Sequence, residues 1–153
     1  MPEIFVDGDA CPVKDEVLRV AIRHGLRVHL VGNTWLRAGG DNPLISRVVV
    51  AEGLDAADDW VAEHVSASDI AVTADIPLAA RCLERGAQVI GHTGQPFTEA
   101  GIGNALAMRE LMAHLRDTGE IRGGGPAFSA RDRSRFLQAL ENAVQIALRP
   151  RGA

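Results

Sequence analysis

The chain has 153 residues, 46% of them hydrophobic and 24% charged, an ordinary globular balance that suits one domain with a well-buried core. Sixteen Lys and Arg against twenty Asp and Glu leave a formal net charge of −4, which argues against coating nucleic acid through bulk charge and leaves room for a local basic face. Two distant cysteines, Cys11 and Cys82, argue against a disulfide framework or a structural zinc. No apolar run is long enough for a bilayer, and the start lacks a signal-type pattern, so a cytoplasmic protein with no membrane partner is expected.

In chain order, Ile4, Phe5 and Val6 form a short β-prone run that ends in Asp7-Gly8-Asp9, a strand closing in a tight turn. Pro12 suits the first position of a helix whose apolar side is Val13, Val17, Leu18, Ala21 and Ile22, and His24-Gly25 reads as its stop. A second strand is expected over 26–31, a loop with Trp35, Arg37 and two glycines over 33–46, and a third strand at Val48 to Val50. Asp55 to Ser66 reads as a helix, Ile70 to Thr73 as a fourth strand, Leu78 to Arg85 as a helix after Pro77, and Gln88 to Ile90 as a fifth strand. Strands alternating with helices predict an α/β fold: a central, mostly parallel five-stranded sheet with helices on both faces.

Beyond Gly94 the periodicity becomes helical. Ile102, Leu106, Leu111, Met112 and Leu115 define one helix with Gly119 at its end, and Ser129 with Asp132 has capping-box spacing before another, with Phe136, Leu137, Leu140 and Val144 inward. The expected organisation is one domain over 1–153, with a core of about 1–94 and a helical part of about 98–149.

Asp7 and Asp9 fall at the carboxyl edge of the first strand, where parallel sheets bind ligands. Two carboxylates this close repel, which favours a proton or a hard cation such as Mg²⁺ between them. The same residues also fit a turn cap and a helix cap, and both readings stand. On the helix over 55–66, Leu54, Ala57, Val61 and Val65 form the inward stripe. Asp58 lies at its edge, Asp59 nearly opposite, and Asp55 near the N-cap, so Asp58 is the better ligand candidate. Asp75 follows the fourth strand, where it can cap the next helix and face Asp7 at once.

The stretches VDGDACPVK, GLDAADDW and VTADIPLAA, with GGP and SARDRSRF near the end, resemble the uncharacterised bacterial YaiI/YqxD family over nearly the whole chain. That family is similar to PIN-like domains, which implies a three-layer sandwich and, in nuclease members, an acidic cluster that holds Mg²⁺ or Mn²⁺. Residue by residue the resemblance lands on Asp7, Asp9, Asp58 and Asp75, with Thr73 beside Asp75, and the Ala57-Asp58-Asp59 triplet resembles the acidic helix motif of bacterial 5′ nucleases, which adds Asp59. The turn here is Asp-Gly-Asp where Asp-Ala-Asp is expected, a change that should loosen it, and Gly91-His92-Thr93-Gly94 also departs from the family turn.

Candidate substrate contacts are Lys14, Asn33, Thr73, Arg133 and the glycine loop with Gly124 and Gly125, whose backbone N–H groups suit a phosphate. Arg122, Arg131 and Arg135 complete a basic patch, with the last two read as surface charge. Trp35 can stack on a base, but packing under its own loop is the favoured reading; Trp60, His92 and Cys11 read as structural. The expected activity is Mg²⁺- or Mn²⁺-dependent hydrolysis of RNA or another single-stranded nucleic acid. The alternatives are a non-catalytic PIN-like module that binds RNA or a partner, and a haloacid-dehalogenase-like phosphatase with Asp7 as nucleophile and Asp9 as acid.

Overall fold

The apolar runs become strands because each is buried on two faces, which favours continuous rather than alternating hydrophobicity. The computed structural model describes residues 1–51, 55–119 and 128–149. Its elements run β1 (Ile4–Asp7), α1 (Lys14–His24), β2 (Val28–Gly32), β3 (Ile45–Val49), α2 (Ala56–His64), β4 (Ile70–Val72), α3 (Ile76–Glu84), β5 (Gln88–Ile90), β6 (Pro96–Phe97), α4 (Glu99–Asp117) and α5 (Ala130–Leu148). The sheet order is β3-β2-β1-β4-β5-β6, with β1 through β5 parallel and β6 antiparallel.

Side chains alternate across β1, so Ile4 and Val6 point to one face and Phe5 to the other. The first face joins Val28, Leu30, Ile70 and Val72 to α1 and α5 in one core cluster. The second joins Phe5, Val31, Ala71 and Val89 to α2 and α3. The chain leaves β1 towards β2 on one side and later returns as β4 on the other, which makes the β1/β4 carboxyl edge the switch point where a crevice opens.

The helix ends follow their local chemistry. Gly25 closes α1 in the left-handed region at φ 69°, which costs glycine nothing. Asp75 caps α3 by accepting from the Leu78 N–H, and Ser129 with Asp132 forms a full capping box at α5.

Three expectations need correction. The sheet has six strands, not five: Gly94, at φ 85°, reverses the chain, and Pro96–Phe97 pairs back on β5 as a two-residue edge, too short for periodicity and carrying a proline that only an edge tolerates. β3 starts at Ile45, because pairing with β2 recruits Ile45 and Ser46. Pro12 precedes α1 instead of opening it, since residues 12 and 13 still belong to the turn that follows the aspartates.

Candidate functional site

The turn after β1 is held from several sides. Lys14 Nζ donates to the carbonyls of Gly8 (3.2 Å) and Cys11 (3.0 Å), so its charge braces the turn. Ala10 sits at φ 57°, a left-handed conformation that strains any residue with a Cβ. Gly8 is buried, and a Cβ there would lie 2.3 Å from Leu36 Cδ1. The glycine expected to loosen the turn instead admits Leu36, which anchors the loop after β2 against it.

Asp7, half-buried, accepts from the Thr73 hydroxyl at 3.0 Å, and Thr73 Oγ1 in turn accepts the Asp75 N–H at 3.0 Å. Thr73 is fully buried and thus ties the β1 turn to the β4 turn with one hydroxyl. Burial pushes Asp7 above the usual carboxylate range; the Thr73 bond opposes this, and the charges of Asp75 and Asp9 add to the rise. Asp58 is pushed up to about 6, first by burial and then by the neighbouring charges of Asp75, Asp7 and Asp55, with Arg81 opposing. Three elements therefore bring Asp7, Asp58 and Asp75 within mutual electrostatic reach.

The other candidates are placed differently. Asp9 is exposed and accepts the Asn33 N–H (3.1 Å to Oδ2), so Asn33 meets the cluster through its backbone. Asp59 is exposed and pairs with Arg81 at 2.7 Å, away from the inward stripe. Arg133 donates to Glu16 Oε1 (2.6 Å) and to the Pro12 carbonyl (3.1 Å), and it lies 5.0 Å from the centre of the Phe128 ring, so it joins α5 to α1. Gly124, Gly125 and Arg122 lie outside the described residues.

Trp35 is not packed under its loop but 63% exposed. Arg47, which no sequence pattern singled out, holds that loop by donating to the carbonyls of Leu36, Ala38 and Gly40, and it sits 5.5 Å from the Trp35 ring centre. Contacts to main-chain carbonyls leave no trace in residue spacing, so nothing pointed to Arg47 in advance. Trp60 packs between Phe5, His29 and His64, as expected of a structural tryptophan. Cys11 is buried, and burial raises its thiol pKa.

Oxygen-only donors with mutual repulsion suit a hard divalent cation. Among the described residues no group of three His, Cys, Asp or Glu side chains closes around a common point. Mg²⁺ keeps several waters and needs only one or two carboxylates, so Asp7 with Asp58 or Asp75 fits such an ion chemically. No helix among the described residues is long and apolar enough to cross a membrane.

A model of the family described as "Uncharacterized BCR, YaiI/YqxD family" matches residues 5–146. A UPF0178 protein of Parvibaculum lavamentivorans is 61% identical over 145 residues, 95% of either chain. Those of Rhodospirillum rubrum and a Bradyrhizobium species are 55% and 53% identical and cover 97% and 98% of this chain, and 99% and 91% of their own. No solved structure matches the chain.

Proposed function

The chain belongs to the YaiI/YqxD family, and we propose that it hydrolyses phosphodiester bonds in RNA or another single-stranded nucleic acid with the help of Mg²⁺ or Mn²⁺. The observation that supports this is the set of half-buried carboxylates Asp7, Asp58 and Asp75 at the switch point, where burial and like charge raise Asp7 and Asp58. Repulsion of that kind is relieved by a cation, and a structural cap would need only one of them. The likeness to PIN-like nucleases points the same way.

A bound divalent ion would lower the pKa of a coordinated water and neutralise charge developing on phosphorus. The chain's own part is to hold the oxygens. Thr73 fixes Asp7 and the backbone of Asp75 relative to each other, Asp58 approaches from α2, and Asp9, tied to the Asn33 N–H, would add a further oxygen. Lys14 keeps a positive charge behind the turn.

Calorimetric titration of Mn²⁺ and Mg²⁺ into wild-type and Asp7→Asn/Asp75→Asn protein, with cleavage of mixed RNA and single-stranded DNA oligonucleotides by the same samples, tests this reading. Saturable binding and cleavage are expected in the wild type, with both lost in the variant. Absence of saturable binding in the wild type would reduce the aspartates to caps and leave a non-catalytic binding module.

A further inference from the structure

A cleft of about 840 Å³ lies between α4 and the turns that follow β1 and β4. Ala10 and Ala74, one residue in sequence from Asp9 and Asp75, line it together with α4. Along the α4 wall Gly101, Ala105, Met108 and Met112 recur at helical spacing, with Asn104 and Arg109 beside them, and Phe97 and Phe128 complete the enclosure. The wall is unusual for a helix of this length, since none of the residues of α4 is buried. An amphipathic helix normally hides its stripe against a second layer, and here part of that stripe faces open volume.

We propose that this cleft receives an unpaired nucleobase of the strand whose phosphodiester lies at Asp7, Asp58 and Asp75, an inference that rests on the hydrolytic reading above. Three features favour a nucleotide over other apolar occupants. The cleft is lined by Ala10 and Ala74, from the two turns that carry Asp9 and Asp75, so its occupant would lie near the acidic edge. Its walls offer aromatic and thioether surfaces that stack on any base, with methionines that adapt their shape to it. Arg109 supplies a fork suited to a phosphate of the same strand, and Asn104 an amide able to read the edge of a base. His92 also lines the cleft, with its Nε2 buried and without a partner among the described residues.

The test is fluorescence anisotropy of the full chain in EDTA at low salt, where no turnover occurs, with a labelled oligouridine and an abasic strand carrying the same number of phosphates. The base-bearing strand is expected to bind about tenfold more tightly, the effect of one stacked base. Met108→Ser/Met112→Ser should erase that difference, and because these side chains are 48% and 39% exposed the variant keeps its fold, as circular dichroism would verify. Arg109→Ala should weaken both strands. Equal affinity for the two strands, or an unchanged preference in the serine variant, overturns the inference. So does a wild-type dimer in sedimentation that the serine variant abolishes, which would make this wall a contact between copies of the chain. Base-dependent binding with no cleavage under any divalent ion would keep the cleft and remove the hydrolytic reading; cleavage without base preference would do the reverse.

Discussion

α4 and α5 are both 19 residues long and both carry apolar stripes, yet α5 buries Phe136, Leu140, Ala143 and Val144 while α4 buries none of its residues. α5 lies against the sheet beside α1 and is fastened at several points. Arg133 reaches Glu16, Arg23 and His24 reach Glu141, and Gln88 Nε2 donates to the Ala143 carbonyl at 3.0 Å. α4 is held mainly by α3, and Met108, Leu111 and Met112 stay exposed. The difference teaches that apolar stripes on helices of equal length serve two ends: α5, the more strongly amphipathic, closes the core, whereas α4 leaves Met108, Leu111 and Met112 exposed, the kind of patch that marks a contact site.

The largest expected effect falls on α5. Phe136 is fully buried, and Phe136→Ala should lower the unfolding free energy by about 3–5 kcal/mol in a urea titration. A loss below about 1 kcal/mol would remove α5 from the core and the contrast with it. Next comes its fastening to α1. Glu16 is only 8% exposed, and Arg133→Ala leaves its carboxylate without that partner, so a loss of about 1–3 kcal/mol is expected, with Glu16→Gln in the same background restoring part of it.

The acidic edge should separate from α5 by pH. Asp58 holds its proton to about 6 in the folded chain against 3.8 for an ordinary aspartate, so the folded state binds more protons between those values. Its contribution to stability is therefore fully present below the lower value and is lost as pH rises through the higher one. Asp7 is shifted in the same direction. Allowing for solvent screening, thermal unfolding of the wild type should lose about 1 kcal/mol relative to Asp58→Asn between these limits. A wild type that instead gains stability relative to Asp58→Asn as pH rises would show that a bound cation or a hydrogen bond to the ionised carboxylate dominates. The smallest effect belongs to α4: Met108→Ser/Met112→Ser should change stability by less than about 0.5 kcal/mol, because little burial is lost. A larger loss would mean that this stripe supports the fold after all.

Much of the architecture was legible in residue order. Buried parallel strands read as unbroken apolar runs, and Gly25, Asp75 and Ser129 with Asp132 mark helix ends by chemistry that acts over a few residues. β6 was not legible, because two residues with a proline have no periodicity; its pairing comes from the reversal at Gly94. At the site, the spacing within ADD already set Asp58 at the edge of the inward stripe and Asp59 nearly opposite, since helical rotation is a local property.

How these carboxylates meet is another matter. Whether Asp7, Asp58 and Asp75 share one volume depends on strand order, and no local signal encodes that β4 rather than β5 lies beside β1. The same holds for Thr73 as the link between two turns, for Leu36 seated on Gly8, for Arg133 engaged by Glu16, and for the exposure of Trp35. Residue order specified elements, caps and the candidate carboxylates, because those follow from interactions within a few residues of one another. Proximity, burial and the open wall of α4 arise only when distant segments pack, and there the arrangement of the layers was decisive.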